Sequence, residues 1–286
     1  MVRKPALTFP LLFVFIVSFS QNQDSLDLKF IEYLVNTRNF SEVLFLLGNR
    51  NFPSGPVYDS INYFRGWSLY SLKELPASSN SLLKVTTGSA FYFKSHFFAA
   101  YNLAHTGDLK GAAAAIDSTE LKTETMVSLK NFQLAGISLL QEDIPGFRKF
   151  LSRADTGQYE ISKASGELVR MMHIMQDHKR KSPFLAGMFS GILPGSGKYY
   201  AGKRGEAISA FLETAGLGAV TWENYHKRGL KNFGTLAFGT AFAFAYAANI
   251  YGAVLSASLL ETEYKENVKN TILFNLHIPL RTIFGE

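Results

Sequence analysis

The sequence predicts an all-α protein in which a repetitive helical domain precedes a helical membrane module. Two observations lead to this prediction. Helical patterns recur at spacings of 35, 34 and 35 residues before residue 180, and the run 232–260 carries no charge. The first period is typical of a two-helix repeat, and the uncharged apolar run is typical of a membrane-spanning helix. We expect four segments: a signal peptide (1–20), a helical-repeat domain (21–181), a membrane module (182–262) and a C-terminal amphipathic tail (263–286).

The N-terminus has the pattern of a secretory signal. Two basic residues precede an apolar run, residues 6–19, and Ser18 and Ser20 occupy the −3 and −1 positions of a cleavage site before Gln21. The apolar run is short for a spanning helix, so cleavage is the preferred interpretation and an uncleaved anchor is the alternative. Under both interpretations the following domain is exported.

The helical-repeat domain is predicted from one recurring position. An apolar residue follows a polar turn and opens a second helix at Phe40, Leu75, Leu109 and Ile144. A single helix pair cannot bury its own apolar face, so successive pairs must stack. A helical domain without repeats is the alternative.

Residues 99–112 carry a family resemblance. A run of small residues, Leu103, Gly107 at the turn and Ala112 in the second helix together resemble the core of a tetratricopeptide repeat. The other units depart from the family pattern, with Pro76 and Pro145 at the start of their second helices. The resemblance implies a tetratricopeptide-like solenoid that acts as a scaffold for protein or peptide binding, without conserved chemistry.

The membrane module contains one long and two short apolar segments. Residues 232–260 are long enough to span a bilayer with some tilt. Residues 182–197 are uncharged but too short to cross fully, and residues 207–222 form a short candidate span interrupted by Glu213. We therefore expect two or three membrane segments. Glycine recurs at every fourth residue from Gly187 to Gly195, which favours close helix contact or oligomerisation in the bilayer.

The turn between the short segments carries a second resemblance. Pro194, Gly195, Gly197, Tyr200 and Gly202 resemble a small bacterial membrane module built on a Pro-Gly-x-Gly-x-x-Tyr-x-Gly motif. The function of that family is largely unassigned, so the resemblance implies a location and not a mechanism. Paired glycines permit close backbone approach, and tyrosine suits the interface.

No catalytic, cofactor-binding or metal-binding residues are predicted, and we do not expect an enzyme. The chain has no cysteine, which excludes disulfides and thiolate chemistry. The segment from Gly191 to Lys198 is not a phosphate-binding loop, because Tyr199 follows the Gly-Lys pair and Ile192 occupies the first glycine position.

The net charge of +6 favours anionic partners. Since the basic residues gather beside apolar segments, we expect lipid headgroups as partners and no nucleic acid.

Three polar residues of the membrane module are singled out. Glu213 is the candidate functional carboxylate, because a carboxylate inside an apolar segment is a functional hypothesis by default. Glu206 adjoins a basic turn, so we expect it to pair with Lys198, Lys203 or Arg204. Asn249 lies within the long span and is expected to hydrogen-bond across helices.

These observations predict a non-enzymatic envelope protein. The expected location is the bacterial inner membrane, with the helical repeats in the periplasm binding another envelope protein. The alternative is a subunit of a small transporter or channel that uses Glu213. For the tail, the pattern around residues 272–280 allows an interfacial amphipathic helix or a short strand.

Overall fold

The structure is a computed structural model that describes residues 28–48, 56–117, 119, 121, 123–154 and 157–285. Within these ranges all regular secondary structure is helical and no strand occurs. This confirms the predicted all-α class. The predicted signal peptide, residues 1–20, lies outside the described residues.

The helices follow one another with short connections. Their bounds are α1 (28–36), α2 (Phe40–Leu47), α3 (Pro56–Ser71), α4 (Leu75–Leu82), α5 (Tyr92–Thr106), α6 (Leu109–Asp117), α7 (Glu124–Leu140), α8 (Ile144–Leu151), α9 (Tyr159–Asp177), α10 (Pro183–Ile192), α11 (Ser196–Tyr200), α12 (Arg204–Arg228) and α13 (Phe233–Phe284). The chain divides into two units. The first runs to Met172 and also includes the chain from Ile272 onward, and the second comprises His173–Thr271. Helix α13 contributes residues to both.

In the first unit, helices pack in pairs along the chain. Helices α2, α4, α6 and α8 begin at Phe40, Leu75, Leu109 and Ile144, which confirms the predicted second-helix starts. Helices α3, α5 and α7 each pack against their own second helix, and α2, α4 and α6 pack against the first helix of the following pair.

The same turn conformation joins the two helices of each pair. A residue with positive φ occurs at Arg38, Lys73, Gly107 and Glu142, with φ of 61°, 69°, 96° and 61°. The residue after each of them donates its N–H to a carbonyl five residues back, at 2.8 to 2.9 Å. This bond satisfies a carbonyl at the end of the first helix and is typical of a left-handed C-terminal cap. Glycine alone adopts this conformation without strain, yet it occupies only one of the four turns.

The second unit contains α10, α11, α12 and the first part of α13. Of the helices in the described ranges, α13 is the one that is long and apolar enough to cross a membrane by length and composition. Its 52 residues extend about 78 Å, so a bilayer core of about 30 Å would cover only part of it, and the uncharged run 232–260 stays the predicted span. Helix α10 is apolar but has ten residues. Membrane spans at the two shorter apolar segments, residues 182–197 and 207–222, stay a prediction.

The tail is helical. Residues 263–284 continue α13 without a break, so of the two structures considered for the tail the helix is confirmed, and the strand interpretation is wrong. The physical reason is that α13 already supplies the preceding turns, and adding a residue to an existing helix needs no new nucleation. Pro279 lies inside the last part of this helix.

Candidate functional site

The first unit contains an aromatic groove that holds the end of α13. We define the groove by Tyr70 on α3, Phe98 and Tyr101 on α5, and Gln133 and Gly136 on α7. These residues belong to the first helices of three successive pairs. The segment held in the groove, residues 272–284, is called the tail helix below.

One face of the tail helix is fully buried in the first unit. Ile272, Leu273, Leu276 and Leu280 have exposed fractions of 0 to 2%, whereas Phe274 is 64% exposed. Burying an aliphatic side chain of this size contributes about 1.5–3 kcal/mol. The four together therefore contribute on the order of 6–12 kcal/mol to docking, as an upper estimate.

The groove is shaped for close approach at Gly136. A Cβ atom placed on Gly136 would lie 2.3 Å from Cδ2 and 2.8 Å from Cγ of Leu276. Since Leu276 is completely buried, it has no free volume into which to move. A side chain at position 136 is therefore incompatible with the docked tail helix as it stands.

A polar contact recognises the main chain of the tail helix. The buried side chain of Gln133 donates from Nε2 to the carbonyl oxygen of Leu276 at 2.8 Å. The missing N–H of Pro279 would have bonded to the carbonyl of Asn275, the residue just before Leu276. Gln133 thus binds a main-chain acceptor in the turn that precedes Pro279, and the contact is independent of the side chain at position 276.

His277 is enclosed by aromatic groove residues. Its ring stacks on Tyr101 with centroids 4.6 Å apart and planes 16° apart, and its Nε2 lies within hydrogen-bond distance of the Tyr70 hydroxyl. Burial, reinforced by Arg281, Lys73 and His105, lowers the pKa of His277 to about 4. The ring is therefore neutral near pH 7, and its Nε2 shares a hydrogen bond with the Tyr70 hydroxyl.

Sequence reasoning did not identify the groove. The aromatic richness of the first helices was visible, and Leu273, Leu276 and Leu280 show the spacing of one helix face. Nothing in that spacing distinguishes a membrane surface from a protein groove as the apolar partner. The hydrogen bond between Tyr70 and His277 joins residues 207 positions apart, which no local pattern predicts.

The predicted motif residues form a tight hinge in the second unit, between α10 and α12. Gly195 has φ of 84°, and a Cβ there would lie 2.2 Å from the carbonyl oxygen of Ala207. At Gly197 a Cβ would lie 1.9 Å from the carbonyl oxygen of Ala186. Both glycines therefore allow backbone contacts that no other residue permits.

The remaining motif residues surround this contact. Pro194 is partly buried and precedes Gly195 in the turn. The Tyr200 hydroxyl accepts the N–H of Ser182 at 3.2 Å, which ties α11 to the first turn of α10. Gly202 also has positive φ, 84°, but a Cβ there would meet open space. Glycine is needed at position 202 only for its backbone conformation.

Asn249 connects the hinge to α13. Its Oδ1 accepts the buried N–H of Gly195 at 3.1 Å, which confirms the predicted hydrogen bond across helices. Ser190 supports the same turn by accepting the N–H of Gly197 at 3.1 Å. In an apolar surrounding each unsatisfied backbone group is costly, so these two side chains stabilise the hinge.

A polar cluster lies where the uncharged run ends. Glu261 accepts the backbone N–H of Lys181 at 2.6 Å and faces Nε2 of His178 at 3.1 Å. Burial opposes the charge of Glu261, but the hydrogen bonds with the Lys181 N–H and with His178, together with the positive charge of Arg180, outweigh it and lower the pKa of its carboxyl. The cluster ties the chain before α10 to α13.

The two carboxylates of α12 have different surroundings. Glu206 lies 3.4 Å from Lys203 and 3.9 Å from Lys198, so its predicted pairing is confirmed. Glu213 is exposed, whereas Ala210 and Thr214 beside it are buried. Glu213 thus faces away from the packed side of α12, and no ion pair to it occurs among the residues described.

Within the same residues, no three His, Asp or Glu side chains come together as metal ligands would. No protein-family model matches the chain, and neither a curated protein nor a solved structure is detectably similar to it.

Proposed function

We propose that this chain is a non-enzymatic, membrane-anchored scaffold whose helical repeats bind a helix of another envelope protein. The proposal includes a tetratricopeptide-like solenoid for the first unit. It is supported by the recurrence of the left-handed turn at intervals of 35, 34 and 35 residues. A second support is the packing of each helix on the next from α2 to α8.

The aromatic groove carries the proposal. Three first helices contribute side chains to it, and it accepts a helix through buried leucines and one main-chain hydrogen bond. This arrangement is the helix-in-groove mode of recognition, in which an amphipathic helix lays its apolar face into an apolar groove. Because Gln133 binds a carbonyl and not a side chain, the groove is suited to other helices of similar pattern.

The resident tail helix defines the partner. A competing helix needs two or three aliphatic residues on one face, one of them a residue no larger than leucine opposite Gly136, and a main-chain carbonyl within reach of Gln133. The tail helix is covalently attached and therefore present at high effective concentration. A free partner must bind more tightly than the tail, or bind when the tail is weakened.

The proposed location is the bacterial inner membrane with the first unit in the periplasm. The signal-like N-terminus supports export of that unit. The uncharged run of α13 supports anchoring, and the glycine hinge supports close packing of α10, α11 and α12 at that anchor. The lipid bilayer is thus the second proposed partner.

The proposal is tested by capture from native membranes with the tagged full chain. Leu276→Ala weakens the tail helix by about 2–5 kcal/mol and is expected to increase recovery of a specific envelope protein. Phe274→Ala is the matched control, because Phe274 lies on the same helix but faces solvent. Addition of Tyr101→Ala to the Leu276→Ala chain is expected to abolish the gain.

Two results would contradict the proposal. If Leu276→Ala and Phe274→Ala recover the same proteins in the same amounts, the groove is not the partner site. If the gain persists after Tyr101→Ala, the partner binds another surface exposed by tail release. In both cases the aromatic groove would no longer support the proposed scaffold function.

The transport alternative stays a separate prediction. It requires Glu213 to face an ion path, which in this chain means a path formed at the exposed side of α12. Glu213→Gln removes the charge at nearly constant volume. Unchanged ion flux through liposomes containing the purified variant would eliminate a transport role for this residue.

A further inference from the structure

The second unit has an apolar cavity that is separate from the glycine hinge. It lies between the C-terminal half of α12 and the N-terminal part of α13 and has a volume of about 900 Å³. This volume lies in the upper part of the range of ligand sites, about 300–1,000 Å³. Small residues, Gly218, Gly239, Ala243 and Ala247, line it and keep it open.

The rim of the cavity has a different chemistry. Trp222 and Tyr225 line one end, and both are exposed, as is typical of aromatic residues at a membrane interface. The chain then turns through a basic stretch that includes Arg228 and Lys231. Both cations are exposed, and neither lies within ion-pair distance of a carboxylate among the described residues. Lys227 is paired with Glu223 at 2.5 Å, and Arg228 acts on Glu223 only as a secondary positive charge that helps to lower its pKa.

The order of these surfaces matches one class of ligand. An apolar slot, an aromatic rim and two cations without an ion pair follow one another from Ala247, in the N-terminal part of α13, to the α12–α13 turn. A phospholipid with an anionic headgroup has the complementary order of acyl chain, interface and negative charge. A second copy of this chain docked in parallel would instead bring a second basic turn beside the first, and like charges repel.

We propose that this cavity binds one anionic phospholipid. An acyl chain packs against Gly239, Ala243 and Ala247, and the headgroup phosphate lies at Arg228 and Lys231. The proposal does not depend on the aromatic groove or on a protein partner. It requires only that the α12–α13 turn lies at the bilayer surface.

The test measures lipid binding by the purified full chain in detergent, using phosphatidylglycerol and phosphatidylcholine with identical acyl chains. Each basic residue near an anionic lipid contributes about fivefold to its affinity. The double variant Arg228→Gln/Lys231→Gln is therefore expected to lower phosphatidylglycerol affinity about 25-fold and to leave phosphatidylcholine binding unchanged. The matched control is Lys265→Gln/Lys269→Gln, which removes two exposed cations of α13 away from the cavity.

A second variant tests the cavity itself. Ala243→Leu places a larger side chain in the slot and is expected to lower binding of both lipids. If Ala243→Leu has no effect, the lipid is held by surface charge alone and the cavity assignment is overturned. If it dissociates a dimer without releasing lipid, the cavity is a contact between two copies. Equal loss in the Lys265/Lys269 control would also overturn the proposal.

Discussion

The contact between Gly136 and Leu276 in the aromatic groove gives a testable prediction. The sign of the change in tail-helix stability on Gly136→Ala distinguishes an occupied groove from an empty one. Replacing glycine by alanine inside a helix normally stabilises it by about 0.5–1 kcal/mol. At Gly136 the new Cβ would lie 2.3 Å from Leu276 Cδ2, and overpacking of this kind costs about 1–3 kcal/mol. The propensity gain acts on α7 whether or not the tail helix is docked, so it cancels, and we expect Gly136→Ala to lower the free energy of opening the tail helix by about 1–3 kcal/mol.

In the second half of the prediction this loss disappears. Leu276→Ala alone costs about 2–5 kcal/mol and leaves space opposite position 136. In that background Gly136→Ala no longer clashes, so we expect it to leave the opening free energy of the tail helix nearly unchanged. The coupling energy between the two substitutions is then about 1–3 kcal/mol, the range found for residues in contact.

Hydrogen–deuterium exchange of residues 272–284 measures the free energy of opening this segment in the full chain. Gly166→Ala in α9 is the control, because a Cβ there meets nothing within 4 Å and should show no coupling to Leu276. If Gly136→Ala leaves protection of the tail helix unchanged or increases it in the otherwise unchanged chain, the groove is not occupied and the reasoning is refuted.

Three further substitutions or conditions test other parts of the structure. The pKa of His277 lies near 4 in the fold and near 6.5 unfolded, so the neutral ring is compatible with docking above pH 6.5. After a discount for the partial exposure of the ring, on the order of 1–2 kcal/mol of tail stability is lost as the pH falls from about 6.5 to about 4. Exchange protection of the tail helix should fall over this range, and His277→Gln should remove that fall. Glu142→Gly relieves a positive φ at an exposed turn and should raise the free energy of unfolding of the first unit by about 1 kcal/mol. Denaturant titration measures this gain. If the free energy of unfolding does not rise, the turn is not strained. Gly195→Ala should destabilise the hinge clearly more than Gly202→Ala. Both glycines have φ of 84°, but only a Cβ at position 195 would meet a backbone oxygen. Equal melting temperatures of the two variants would contradict the hinge geometry.

The helix pairs were predictable because their signals are local. A polar turn followed by an apolar residue marks each second-helix start, and the spacing of those residues is preserved in α2, α4, α6 and α8. The positive φ values at Arg38, Lys73 and Glu142 were not predictable in the same way. Residues of these types carry no preference for that conformation, and it is imposed by the helix cap.

The hinge was predictable from residue type. Gly195 and Gly197 are needed where backbones approach closely, and Asn249 is a lone amide in an apolar run, for which a hydrogen bond across helices is the expected solution. The docking of the tail helix was not predictable, because Leu276 and His277 find their partners on α3, α5 and α7. An amphipathic pattern specifies that a face is buried but not what covers it.

One cross-link tests the central claim most directly. A Cβ at Gly136 lies 2.8 Å from Leu276 Cγ, one bond from the Cβ of Leu276, so the pair Gly136→Cys/Leu276→Cys fits the separation of about 3.5–4.5 Å that a disulfide requires. The chain has no other cysteine. Oxidation should lock the tail helix in the groove and abolish capture of the partner, and reduction should restore it. Failure to cross-link, or equal capture by the oxidised and reduced chains, would contradict the account.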